Sequence, residues 1–479
     1  MALHIGIDVG TQGTKALVYD AELGVVVGRG SKSYGLIEGL AEGACEQDPQ
    51  TWVEAVRESV ALALVDLDPS AVGGIGVSGQ QHGFVPLDAS HEVIRAAKLW
   101  CDTETAPEAS ELSEQTGVPT PAGFTASKIL WLKRHEPESF KRLAHVLLPH
   151  DYINFVLSGE LAMECGDASG TGFFDPLKRR FDEGRMSAID EGLSGMLPSL
   201  IGPDAALGGL REEWANEWGL PAGVPISPGS GDNMMSALGA GAVRPGVTVM
   251  SLGTSGTMFA QAEHAVVDSA GEIAPFCDAT GRWLPLLCTL NCTTVTEEVR
   301  ASTGLDHDAL TQRAEGVQSG CAGVSFLPYL AGERTPNWPT ASGALLGLRE
   351  GSLQPGVLYR AAMEGASFAL VAGLERLNAL GVHTEELRLV GGGSKNRLWR
   401  QIIADITGLS VRQPSEPESA ALGGALQSLS LEGSGSQVET LRGVHVPLEE
   451  VVIEPRASER EAYEEAFGLY KARSRHLFG

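Results

Sequence analysis

Two short stretches are suited to the same chemistry. Residues 10–14 read Gly-Thr-Gln-Gly-Thr and residues 253–257 read Gly-Thr-Ser-Gly-Thr, each after an apolar run and half a chain apart. Backbone N–H groups in tight turns and threonine hydroxyls donate well to phosphate oxygens, and glycine lets the backbone come close. One such turn alone reads as an ordinary hairpin. Two of them, at equivalent places in a repeated plan, could close on one anion from opposite sides. Asp8 lies just ahead of the first turn. A carboxylate beside a polyphosphate is unfavourable unless a cation lies between them, so Asp8 points to Mg²⁺, held through water that this ion gives up reluctantly.

Two further groups carry side chains for a polar ligand. "GSGDN" places Asp232 and Asn233 where a glycine loop enters a short helix. Asp and Asn are favoured helix N-caps. That reading is compatible with a base, because a helix N-terminus stabilises the ionised carboxylate that a base needs. "SGQQHGF" gathers Gln80, Gln81 and His82 on a loop after a strand, a donor-acceptor group suited to a polyhydroxylated ligand. In "FLPYLAGERTPNWP" (326–339), Glu333 and Arg334 read as a structural ion pair or as a wall of the site. A P-loop is excluded, since the chain contains no Gly-Lys dipeptide. Gly74, Gly76 and Gly79 match a dinucleotide fingerprint in spacing alone, with Ile75 and Val77 inside the strand the glycines should follow.

The elements that must position these groups follow one plan twice. Residues 3–9, 14–20 and the run at "VVVG" suggest a β-meander, followed by a helix over 48–67 and a buried strand over 72–79. Residues 127–143 read as helix with a break at Pro137. In the second half a hairpin spans 247–261, a long helix 355–380, and a strand with its glycine loop 387–396. An amphipathic helix over 396–408 closes on Gly408. Ser458 to Glu461 reads as a capping box for the last helix. The expected architecture is α/β and duplicated, with domains 1–243 and 244–479 meeting near "GAVRPGVT".

Composition narrows the class. At 479 residues the chain exceeds one ordinary core, and 43% apolar with 20% charged residues suits a soluble globular protein. A net charge of −26 repels phosphate backbones and anionic lipid, so nucleic-acid and membrane-surface partners are not expected. No apolar run reaches the roughly 18 residues of a membrane helix, and "MALHIGIDVG" lacks a basic leader and a cleavage site. A cytoplasmic location is expected. The seven cysteines are scattered with no C-x-x-C pair, which gives neither a zinc site nor a disulfide framework. Cys288 and Cys292 are spaced to face each other on a helix as ordinary thiols.

The order of the motifs resembles one family over nearly the whole chain. "IGIDVGTQGTK", "EQDPQTW", "SGQQHG", "AGFTASKILWLKRHEPE", "LLPHDYINFVLSGE", "DASGTGFFD", "GSGDN", "SLGTSG", "FLPYLAGERTP" and "LVGGGSKNRLWRQIIADI" are similar, in this order, to the FGGY carbohydrate kinases of the actin-like ATPase superfamily. The resemblance implies two ribonuclease-H-like domains, with sugar and ATP meeting in the interdomain cleft and Mg²⁺ as cofactor. The members acting on D-xylulose are the nearest in pattern, which implies ATP-dependent phosphorylation at its 5-hydroxyl. Carried over by motif position, Asp232 would be the base and Asp8 would act through Mg²⁺. Gln81, His82, Asp232 and Asn233, with Trp100 and Asp102 of "WCDTET", would meet the sugar. Thr11, Thr14, Gly253 and Thr254 would line the phosphates, and Gly392, Gly393 and Asn396 the adenine and ribose. Glu104 stands where many members have Arg, and Asn337 where many have His. Ribulose, glycerol or gluconate remain alternative substrates, and a non-catalytic sugar sensor or an actin-like ATPase is the rival from another class. The family resemblance also points to a homodimer.

Overall fold

The computed structural model describes residues 3–433, 435–444 and 446–479. The first half is built on β1 (Leu3–Val9), β2 (Gly13–Asp20), β3 (Val25–Ser33), α1 (Pro49–Ala63), β4 (Val72–Gly79), β5 (Pro225–Ile226) and α2 (Asp232–Gly239). The second uses β6 (Gly246–Leu252), β7 (Gly256–Ala260), β8 (Ala274–Cys277), β9 (Trp283–Thr289), α3 (Thr293–Thr303), α4 (Pro355–Ala379), β10 (Thr384–Val390), α5 (Arg397–Thr407), β11 (Val411–Arg412), α6 (Ser419–Ser430) and α7 (Arg460–Phe478).

The strand order runs β5-β4-β1-β2-β3 in the first sheet and β11-β10-β6-β7-β9 in the second, with β8 added beyond β9. In each, the hairpin pair is antiparallel and the strand after the crossover lies parallel to the first. The duplication read from the two turns is therefore a duplication of sheets.

Local sequence accounts for most elements. Asp48 caps α1 by accepting from Gln50 N at 2.9 Å, Pro49 occupies its first turn, and Trp52, Val56 and Val60 bury one face. Asn396 caps α5 by accepting from Trp399 N at 3.2 Å, and Gly408 closes it in the left-handed region at φ 71°. The break at Pro137 separates helices Thr125–His135 and Pro137–Arg142.

Two expectations are corrected. The last helix starts at Arg460 after a 3₁₀ turn, and Ser458 gives its hydroxyl to Glu459 instead of forming a capping box with Glu461. Cys288 lies in β9 and Cys292 precedes α3, so a strand end and a turn separate them; the cysteines are all free thiols. α4 is long and apolar enough to cross a membrane by composition, but 83% of that window is buried inside the protein. Within it Arg360 and Glu364 pair at 2.8 Å, one turn apart, and Arg360 also donates to Tyr463 of α7 at 2.8 Å.

The two halves are joined by helix α6, which belongs to the second half in sequence yet packs on β1, β4 and α2 of the first. The approach is backbone to backbone. A methyl group at Gly6 would overlap the Ala421 carbonyl, and one at Gly76 the Gly424 carbonyl. The glycines of the apparent dinucleotide fingerprint therefore serve helix packing.

Candidate active site

The two hairpin turns open into the same cleft but are held differently. Val9 pairs with Thr14 across the first turn and Leu252 with Gly256 across the second, which makes the second turn one residue shorter. Thr11 is fixed by side chains: its hydroxyl donates to Gln80 Oε1 at 2.9 Å and accepts from Trp100 Nε1 at 3.0 Å, and Gln47 Nε2 donates to its carbonyl at 2.7 Å. Thr14 is wholly buried with its hydroxyl 3.2 Å from that of Tyr34, so its side chain is not offered to a phosphate in this arrangement. The second turn is anchored by the start of α3. Thr293 N and Oγ1 donate to the Gly253 carbonyl at 2.9 and 2.8 Å, and Cys292 N donates to that of Thr254 at 3.0 Å. Its carbonyls are thus occupied, and Thr254 stays exposed.

Asp8 lies opposite Lys15 and Ser78 in the sheet and accepts from Ser78 Oγ at 2.8 Å. Burial raises its pKa, against the Ser78 hydrogen bond and the Lys15 charge. Asp232 is the first residue of α2, with Gly231 at the N-cap, so neither Asp232 nor Asn233 is the cap. Its Oδ1 accepts from Asn233 N at 2.8 Å and from Asn233 Nδ2 at 3.0 Å. Burial first, then the charges of Asp8 and Asp167, push its pKa up to about 8. The Asp8 charge disfavours ionisation of Asp232, and Lys15 offsets that of Asp8 only in part, so the pair suits a divalent cation.

Asn233 links the halves. Its Nδ2 donates to Gln81 Oε1 at 2.7 Å, and its Oδ1 accepts from Thr257 of the second turn at 3.4 Å. His82, half-buried and at φ 64°, has its ring 5.1 Å from that of Phe124 and 5.6 Å from that of Phe276. Trp100 is 44% exposed over the cleft side of Thr11.

Asp102 departs from expectation. It is wholly buried, accepting through Oδ2 from Cys45 N at 3.0 Å and Lys98 Nζ at 3.1 Å, while Oδ1 has no hydrogen-bond partner. Lys98 also holds Glu104 at 2.5 Å, which gives the unusual glutamate an ion-pair role in the wall behind Trp100. Glu333 does not pair with Arg334. It is buried and accepts from Leu290 N at 2.7 Å and Arg334 N at 2.8 Å, while Arg334 and Asn337 are exposed.

A cavity of about 670 Å³ extends from the second turn, large enough for a nucleoside. Thr254, Gly392, Gly393 and Asn396 line it, as do Thr293, Thr311 and Tyr359, which carry no motif visible in the sequence. Asn396 Nδ2 donates to Thr311 Oγ1 at 2.8 Å, joining two walls. Gly391 adopts φ 84°, where a methyl would press on the backbone of Leu252, and Gly392 faces open space. Sequence reasoning also passed over Asp167 and His150, although "DASGTGFFD" and "LLPHDYINFVLSGE" contain them; the signal available was a buried-type segment rich in ionisable groups.

Comparison with known proteins identifies the family. Residues 3–239 match the model for the FGGY family of carbohydrate kinases, N-terminal domain, and residues 248–430 that for its C-terminal domain. The chain is 38% identical to a xylulose kinase of Haemophilus influenzae, over 99% of this chain and 100% of that one. It is 39% identical to a xylulose kinase of Streptomyces coelicolor, over 90% and 88%. The solved structure described as a xyloylose kinase from Brucella ovis superposes with a TM-score of 0.93 at 33% identity, covering 99% of both chains.

Proposed function

Because the chain belongs to the FGGY family of carbohydrate kinases and is a phosphotransferase, we propose that it transfers the γ-phosphoryl group of ATP to the 5-hydroxyl of D-xylulose. The products are ADP and D-xylulose 5-phosphate. The observation that carries this reading is the Asn233 bridge, which ties Asp232 and Gln81 of the first half to Thr257 of the second turn, with Asp8 near enough to shift Asp232 and the 670 Å³ cavity beyond that turn.

In this reading residues 1–243 hold the sugar and residues 244–479 the nucleotide. The bond between the γ-phosphorus and the β–γ bridging oxygen breaks while the sugar oxygen bonds to phosphorus, and the hydroxyl proton passes to Asp232. A loose phosphoryl transition state asks mainly for positioning, so a carboxylate that takes the proton late suffices. Asn233 orients Asp232 through its two contacts to Oδ1 and at the same time ties Gln81 to the second turn. Trp100 and Thr11 form the wall beside the transferred group. Thr254 and the amides of the second turn face the phosphates, with Gly392, Gly393 and Asn396 bordering adenine and ribose. Mg²⁺, held at Asp8 through water, would neutralise charge on the β- and γ-phosphates and offset the repulsion between Asp8 and Asp232.

The test is ADP release from purified protein with MgATP and a panel of D-xylulose, D-ribulose, L-ribulose, glycerol and D-gluconate. Preference for D-xylulose is expected. Preference for another sugar keeps the base and moves specificity to the loops around Glu104 and Asn337, and silence with all five favours a sensor.

A further inference from the structure

Behind His82 lies a file of buried ionisable groups that phosphoryl transfer does not use. His82 Nδ1 is buried with no hydrogen-bond partner and faces Asp167 Oδ1 at 3.6 Å, the same oxygen that accepts from His82 N at 3.4 Å. Asp167 Oδ2 lies 2.8 Å from His150 Nδ1, and His150 Nε2 lies 3.0 Å from Asp151 Oδ1. Asp167 and His150 are wholly buried, and Asp151 nearly so. Burial lowers the His150 pKa, but the charges of Asp151 and Asp167 outweigh it and raise the value to about 9, so His150 carries a proton at neutral pH. Asp167 is held below the ordinary carboxylate range by the two histidines, against its burial.

The His82 ring has little freedom to turn away. Phe124 and Phe276 flank it, a methyl at Gly170 would overlap it, and Thr125 Oγ1 donates to its backbone carbonyl at 3.1 Å. Asp167 is itself fixed, its N donating at 2.6 Å to Glu164 Oε1, which also accepts from Ser230 Oγ at 2.8 Å, two residues before Asp232. Of the two His82 ring nitrogens only Nδ1 is sealed from solvent. A carboxylate that faces one imidazole nitrogen places the proton there and leaves the other nitrogen as an acceptor.

We propose that Asp167 is a positioning residue for the sugar: it holds the proton on His82 Nδ1, so that Nε2 offers a lone pair to a sugar hydroxyl, while His150 balances the charge of Asp167 from behind. The contact then selects a ligand that donates at that position, which a hydroxyl does and a keto oxygen does not. The role in sugar binding rests on the kinase reading above; the tautomer does not.

Histidine ring ¹⁵N NMR of the full-length protein at neutral pH, with the His82 signal assigned by its loss in His82→Gln, reads the tautomer directly. The Nδ1–H form is expected, and the Nε2–H form overturns the proposal. Asp167→Asn removes the carboxylate that fixes this proton, so the Nδ1–H preference should be weakened or lost in the variant. Kinetically, at a pH above the pKa of Asp232, where loss of the Asp167 charge no longer alters the ionisation of Asp232, Asp167→Asn raises KM for D-xylulose about tenfold, a 1.4 kcal/mol effect, with kcat and KM for ATP changed less than about threefold. In the His82→Gln background the same substitution adds nothing. Equal losses in both backgrounds, or a fall in kcat at constant KM, overturn the proposal. If Asp167→Asn does not fold, the wild-type tautomer still decides. A wild-type enzyme silent on D-xylulose sinks the substrate reading and leaves the NMR result to judge Asp167.

Discussion

The first and second glycine turns have nearly the same sequence and the same place in their sheets, yet their leading threonines are held differently. Side chains of Gln80, Trp100 and Gln47 grip Thr11, and Tyr34 donates to the Gly10 carbonyl at 2.7 Å. The second turn gives its carbonyls to the beginning of α3 and leaves the Thr254 hydroxyl free toward the cavity. A turn gripped through its side chains is tied to the wall that carries them, here the sugar side. Both turns give carbonyls to their surroundings, and what separates them is the leading threonine, whose hydroxyl is occupied at Thr11 and free at Thr254. A repeated local motif thus acquires two tasks from what packs behind it.

Asp232, at the junction of the two halves, should show the largest effect. Asp232→Ala is expected to lower kcat by about 10³-fold or more, within the range for general-base removal or above it. Sugar affinity by calorimetry should stay within roughly tenfold. Complete loss of binding would make Asp232 a sugar ligand before a base.

Next comes the seam between the halves. Gly76→Val forces a side chain onto the Gly424 carbonyl and should destabilise the protein by about 3 kcal/mol or more, read as a fall in Tm or loss of soluble protein. Gly392→Ala meets nothing within 4 Å and should leave Tm unchanged while raising KM for ATP. Equal Tm values for both variants would dissolve the distinction between packing and ligand-facing glycines.

The two threonines separate the turns more finely. Thr254→Val should raise KM for ATP by roughly tenfold and leave that for sugar alone, the worth of one hydrogen bond to a charged group. Thr11→Val should act chiefly on the sugar, because Gln80 and Trp100 lose their shared partner. Identical profiles for the two variants would mean that anchoring does not divide their roles.

The smallest effect is in pH dependence. Asp232 must be ionised to take a proton, and its pKa of about 8 means that kcat/KM falls as pH drops through that value. Asp8→Asn removes a neighbouring negative charge and favours the carboxylate, so the acid limb should move to lower pH. A limb that stays in place would show that burial and Asp167 set this pKa without Asp8. The linked stability has the same origin: a carboxyl whose folded pKa lies above its unfolded value destabilises the fold once ionised, and that cost is relieved as pH falls from 8 toward 4.

Much of this protein was legible in its sequence. Glycine-threonine turns, helix caps such as Asp48 and Asn396, and the break at Pro137 are set by the local conformational limits of their residue types, so short stretches suffice to read them. Motif order did the same for the family and for Asp8, Asp232, Gln81 and His82. Tertiary structure alone decided the rest. It turned Asp102 inward onto Lys98, used Glu333 to cap a loop rather than pair Arg334, and gave Gly6 and Gly76 to the α6 seam. It also set Asp167 and His150 behind His82 and assembled a cavity of about 670 Å³ from Thr293, Thr311 and Tyr359 together with the glycine loop. Each of these depends on which distant surface meets a side chain, and charge pairing and burial are properties of that meeting, which no local pattern encodes.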